Sequence, residues 1–152
     1  MMTTYTDTLW RANNEYRKRL GQAQTFFGLL EELVMSAQAE PRQVELVRWA
    51  RGHVETIVQE LRDWRDRFYY EDPRTRRMVQ TDGAVYDALT TFDRMRGDHE
   101  LRLHDVYNTL LNEPRPDPRL TRVPQGDLWL MAGNAIYDLL GFNDYLGGLQ
   151  TA

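Results

Sequence analysis

The sequence predicts an all-α fold, a four-helix bundle-like domain spanning 1–152 as a single unit. Three observations lead there. Apolar residues return at every seventh position along several long segments, no region is rich in strand-forming alternation, and four of the six prolines fall between 113 and 126, in one connector. At 152 residues, 41% hydrophobic and 11% aromatic, the chain is long and apolar enough to close one core.

The first segment carries Leu9, Tyr16, Ala23, Leu30 and Ala37 in one row and Leu20, Phe27 and Val34 in the interleaved one. Alternating three- and four-residue steps put both rows on one side of a helix, the pattern of lengthwise packing. The second segment repeats it with Val47, Val54, Leu61 and Phe68 beside Ala50, Ile57 and Trp64. Pro41 suits a first helical turn, and Pro73 stops a helix after Glu71-Asp72. Helix 1 is therefore expected at about 5–38 and helix 2 at about 41–71. Their short connection makes them an antiparallel hairpin.

Helix 3 is expected at about 74–112 and is expected to be broken. Val85, Leu89 and Phe92 begin a seam that Leu103, Val106 and Leu110 resume, but an unbroken register would bury Arg96 and His99. Gly97-Asp98 offers a flexible residue followed by a capping residue, so the break belongs near Gly97. A second discontinuity falls near Thr81-Asp82-Gly83. The connector, 113–126, reads as a stiff extended segment long enough to cross an end or side of a bundle, so the last helix need not run antiparallel to the third.

Helix 4, about 127–147, has rows at Leu128, Ala135, Phe142 and Leu149 and at Ala132, Leu139 and Leu146, with Gly147-Gly148 as its expected end. Trp129, Met131, Ile136, Tyr137 and Leu140 add apolar surface outside those rows, and Asp127, Asp138 and Asp144 are its only charges. A helix apolar on most sides is either central to its domain or covered by a partner.

Composition excludes several function classes. With no cysteine there is no disulfide, thiolate metal site or cysteine nucleophile. No apolar run reaches the roughly 18 residues of a membrane span, and the first residues lack the charge-then-apolar order of a secretion signal, so a cytoplasmic protein with no membrane contact is expected. The net charge of −4 argues against a uniformly basic surface. Of 19 basic residues only Lys18 is lysine, a bias spread along the chain that locates no site.

Candidate chemistry is sparse. His99, Glu100 and His104 approach the zinc-protease pattern HExxH, but histidines five apart diverge by about 140° around a helix. No Glu-x-x-His pair, phosphate-binding glycine loop or serine nucleophile elbow is present, so no cofactor, metal site or catalytic residue is expected. Glu31-Glu32 followed by Glu60 and Asp63 resembles the EE…ExxD pattern of the MazG-type nucleotide pyrophosphohydrolases, over residues 31–63. That resemblance implies magnesium held between helices and cleavage of a nucleoside triphosphate. Met35 and Ser36 stand where that family carries a further acid, and the helix register turns Glu32 and Asp63 away from the seam.

Two readings outrank it. The first is a non-enzymatic interaction or assembly subunit, joining a protein partner or a homo-oligomer through helix 4 with Trp129, Ile136, Tyr137 and Leu140 at the interface. The second is a nucleic-acid-binding helical subunit of a ribonucleoprotein or defence complex. It rests on the arginine and aromatic patch that begins at Trp64 and includes Arg65, Tyr69, Tyr70, Arg74, Arg76 and Arg77. Cationic forks beside stackable rings suit single strands, although six arginines face four acids between 62 and 77. In size and helical build the chain is similar to the small subunits of CRISPR effector complexes. Arg115, Arg119 and Arg122 extend the patch if the connector folds back onto it.

Overall fold

A computed structural model describes residues 2–81, 83 and 85–151. Four long helices, α1 (Met2–Ser36), α2 (Pro41–Phe68), α3 (Val85–Asn112) and α4 (Leu128–Thr151), account for most of it. Each packs against its two neighbours in the order α1, α2, α3, α4 and back to α1. Contacts along the helices set their directions. Asn13 meets Leu61 while Glu31 meets Arg48 and Arg51, Glu60 meets His99 while His53 meets Arg102, and Tyr107 meets Tyr137 while Arg96 meets Asn143. Every neighbouring pair named there runs antiparallel, including α3 and α4, and α4 returns beside α1 with Phe142 against Tyr16. Among the described residues no helix is long and apolar enough to cross a membrane.

The heptad rows form the core. Leu9, Tyr16, Leu20, Ala23, Phe27, Leu30 and Val34 are buried on α1, and Val47, Ala50, Val54, Ile57, Leu61, Trp64 and Phe68 on α2. Each large aliphatic or aromatic side chain removed from water in this way contributes roughly 1.5–3 kcal/mol before entropy is subtracted. On α4 the buried set is Leu128, Trp129, Ala132, Ile136, Leu139 and Leu146, so Trp129 and Ile136 belong to the seam while Ala135 and Phe142 are half-buried. The Leu149 side chain lies outside the described set.

Helix α3 is continuous through Gly97, which corrects the expected break. Its seam runs Ala88, Phe92, Met95, His99, Leu103, Val106 and Leu110, and His99 is fully buried in it. Arg96 is accommodated by α4. Its guanidinium carbon lies 2.8 Å from where a Cβ on Gly147 would sit, its Nη1 reaches the Asn143 carbonyl at 3.5 Å, and Asn143 Nδ2 donates to the Arg96 carbonyl at 3.1 Å. A glycine on the facing helix thus supplies the space that a kink would otherwise have to create. Gly147-Gly148 does not end α4, which continues to Thr151.

Two small hairpins join the helices. Residues 74–80, expected at the start of helix 3, belong instead to a hairpin of β1 (Tyr69–Glu71) and β2 (Met78–Gln80), with Tyr69 opposite Gln80 and Glu71 opposite Met78. Helix α2 stops at Phe68 because Tyr69 turns extended and buries its ring 5.3 Å from Trp10 and from Trp64. The turn expected at Thr81-Asp82-Gly83 includes Asp82, which lies outside the described residues, and Gly83 has φ +74°. In the connector, β3 (Arg122–Val123) pairs with β4 (Gly126–Asp127). Asp127 Oδ1 accepts from the Trp129 N–H at 3.0 Å and from the Thr121 hydroxyl at 2.6 Å, capping α4.

Continuity at Gly97 has a measurable consequence. No atom lies within 4 Å of a Cβ added there. Gly97→Ala should therefore raise unfolding stability by about 0.5–1 kcal/mol in urea titration. A helix bent at that glycine would instead lose stability.

Candidate interaction surfaces and a buried polar cluster

The four side chains expected at an interface divide. Trp129 and Ile136 are 5% and 0% exposed, packed inside their own chain, so neither is available to a partner. Tyr137 is 61% exposed and rests its ring 5.6 Å from that of Tyr107, and Leu140 is half-buried beside it. The outward face of α4 also shows Leu130, 52% exposed, followed by Asn134, Gly141, Asp144 and Gly148. Sequence reasoning missed Leu130, although it stands seven residues before Tyr137 and hence on the same face. Between α3 and α4, Leu110, Leu111, Trp129, Leu130 and Gly133 line a cleft of about 220 Å³. Asp138 and Asp144 are the only charges in Leu128–Thr151.

The arginine and aromatic patch divides too. Trp64 and Phe68 enter the core, with Trp64 Nε1–H donating to the Ala88 carbonyl at 3.0 Å, and Tyr69 is buried, which removes it from any contact with nucleic acid. Arg65 is paired with Asp66 at 3.0 Å. Tyr70, Arg74, Arg76 and Arg77 are exposed on the β1–β2 hairpin, where the Asp72 carboxylate accepts from the Arg74 N–H and Arg76 adopts φ 60°. The connector does not extend this patch. It sits at the opposite end of the bundle, where Gln43 reaches the Pro114 carbonyl and Arg42 pairs with Glu113. There Arg115 pairs with Asp127 and Arg119 with Asp117.

The acidic pairs do not converge. Glu31 is held by Arg48 at 2.6 Å and Arg51 at 2.7 Å, and those hydrogen bonds push its carboxyl below the usual range. Glu60 lies nine residues beyond Arg51, about 13 Å farther along α2. Glu32 faces solvent and Asp63 accepts from Gln59. No group of three His, Asp or Glu side chains arranged to hold a metal occurs among the described residues. The magnesium site implied by the MazG-type resemblance is therefore not assembled.

Sequence reasoning also missed a polar cluster inside the bundle. His99 Nε2 and Glu60 Oε2 lie 3.1 Å apart, the imidazole being fully buried and the carboxylate partly open to solvent. Tyr16 approaches His99 edge-on at 6.1 Å between ring centroids. Asn13 Nδ2 donates to the Leu61 carbonyl at 3.0 Å, tying α1 to α2. Tyr16 Oη, His99 Nδ1 and Asn143 Oδ1 are buried without a hydrogen-bond partner in the structure. Burial pushes the Tyr16 hydroxyl far above its ordinary range and pushes the His99 imidazole down, against the opposing pull of Glu60. The signal that could have found the cluster was Arg96 and His99 at seam positions. The arrangement holds a neutral imidazole on a carboxylate and fixes how α2 and α3 sit together, and it places no nucleophile in an open cleft.

The chain matches no protein-family profile, no curated protein sequence and no solved structure.

The depressed His99 predicts a pH effect. The unfolded chain takes up a proton near the ordinary histidine value of about 6.5, whereas folded His99, facing Glu60, Tyr16, Arg102 and Asp98, resists it. Stability is then full above that value and falls as pH drops toward the lower folded value. His53, also pushed down by burial and by Arg102, adds in the same direction. Urea midpoints at about pH 7.5 and 5.5 should differ, and His99→Gln should shrink the difference. An unchanged difference would assign the effect elsewhere.

Proposed function

We propose that this chain is a non-enzymatic assembly subunit that works by protein–protein contact through the outward face of α4. One observation carries the reading. A helix with two charges in 24 residues leaves Leu130 and Tyr137 half or more exposed, with Leu140 and the exposed Leu111 of α3 beside them. Apolar side chains grouped in this way lose little on leaving water, and an aromatic buried in a dry interface pocket is worth a few kcal/mol. Tyr137 and Leu130 replace Trp129 and Ile136 as the anchors, because the latter pair already serves the core.

Gel filtration of native extract tests this. The tagged chain should elute in a particle larger than its own 18.0 kDa, and Leu130→Glu with Tyr137→Arg should return it to the monomer position with its helical circular dichroism intact. A wild-type chain that elutes as a monomer, or a variant that elutes unchanged, overturns the reading.

A second reading, nucleic-acid contact within a ribonucleoprotein or defence complex, is favoured by the exposed Tyr70, Arg74, Arg76 and Arg77 on one hairpin. Three guanidinium groups beside an open ring match phosphates and a stacked base. Changing Arg74, Arg76 and Arg77 to Glu should abolish salt-sensitive binding of single-stranded RNA or DNA in a fluorescence anisotropy titration. Absence of binding by the unmodified chain at low salt removes this reading.

A further inference from the structure

We propose that the partner on the outward face of α4 is a second copy of the same chain, its α4 lying antiparallel across a twofold axis. The inference rests on the reading of α4 as a contact surface and adds the identity and register of what covers it. Besides Asp138 and Tyr145 on its α1 flank, the exposed positions of α4 are Leu130, Asn134, Tyr137, Gly141, Asp144 and Gly148. Their four- and three-residue steps make a second seam, on the side of α4 away from the core.

Read in opposite directions, this seam complements itself. In antiparallel packing the positions that begin a three-residue step face those that begin a four-residue step. Leu130 then meets Gly148 of the other copy, Tyr137 meets Gly141, and Asn134 meets Asp144, with each contact made twice about the axis. A large side chain faces a residue without one in two layers, which lets the helices interdigitate closely. In the third the Asn134 amide is a donor for the Asp144 carboxylate. That pairing supplies the acid with a partner although α4 has no cation of its own. The two copies of Leu140 adjoin near the axis on the α3 side. On the α1 side Asp138 adjoins its mate, a like-charge contact, and the cation lining the same groove is Arg19, which is also paired with Glu15 at 3.2 Å.

Size is consistent with this occupant. From Leu130 to Gly148 is about 27 Å of helix, and a strip two helix diameters wide covers roughly 540–650 Å² per copy, just above the roughly 1,000 Å² in total that a specific interface needs. Gly141 has no role inside the single chain, since no atom lies within 4 Å of a Cβ placed on it. A larger side chain there fits the single chain and therefore probes what lies outside it.

The test uses the purified 152-residue chain, which contains no cysteine. Sedimentation equilibrium should give a dimer. Gly141→Leu should raise its dissociation constant by about tenfold or more, as expected for blocking a central contact, while leaving the thermal melt of the fold unchanged or higher. Asn134→Cys chains mixed with Asp144→Cys chains should form a mixed disulfide on mild oxidation, and neither alone should crosslink efficiently. A chain that stays monomeric in purified form but elutes in a large particle from extract overturns the second copy and leaves the assembly reading standing. A dimer lost in the Leu130→Glu, Tyr137→Arg variant but without the mixed disulfide overturns the register. A dimer indifferent to all of these substitutions overturns both.

Discussion

Four helices of this length can share a core only if each keeps an apolar seam turned toward the bundle axis over its whole run. Leu20, Phe27, Leu30, Val54, Ile57, Leu61, Leu103, Val106 and Leu139 are all essentially inaccessible to solvent, and they lie at successive levels along the bundle. Because a helix satisfies its own backbone internally, the cost of this arrangement falls on side chains alone. Any polar group on the seam must find its partner within reach or remain unbonded.

His99, Arg96 and Asn13 are where that constraint is met by local solutions. His99 finds Glu60 on α2, Asn13 finds the Leu61 carbonyl, and Arg96 runs out along α4 where Gly147 leaves room. Each solution joins two helices at one level, so sliding either helix by a turn would strand a polar group. The cluster therefore sets the vertical register of the bundle, which apolar rows alone specify weakly. Its chemistry is turned inward, and the surfaces open to a ligand or partner lie elsewhere.

Those surfaces follow from the ends and flanks of the same frame. The β1–β2 hairpin grows from α2 where Tyr69 turns back to pack on Trp10 and Trp64, and this lifts Tyr70 and the three arginines into solvent. The connector closes the other end and caps α4 with Asp127. Helix α4 contributes Trp129 and Ile136 inward and Leu130 and Tyr137 outward, so the least charged of the four helices is both a core element and an exposed flank.

The helix count, the seam residues of α1 and α2 and the proline at the start of α2 were legible in the sequence, because the 3.6-residue turn and the ring of proline are local properties of the chain. The continuity of α3 was not, since the half-buried Arg96, paired with Asp93 and Glu100 of its own helix, also uses the room left by Gly147 and the carbonyl of Asn143, some 50 residues away. On α4 the helical turn sets Leu130 and Tyr137 opposite the seam and Trp129 and Ile136 on its flank, but it does not say how far round a neighbour covers that flank. Their sorting into core and surface depends on which flanks α1 and α3 cover. The separation of the arginine hairpin from the connector arginines was decided the same way, by antiparallel helices that carry the two segments to opposite ends. Periodicity reports which side of a helix is apolar, and only packing against distant segments decides which part of that side water still reaches.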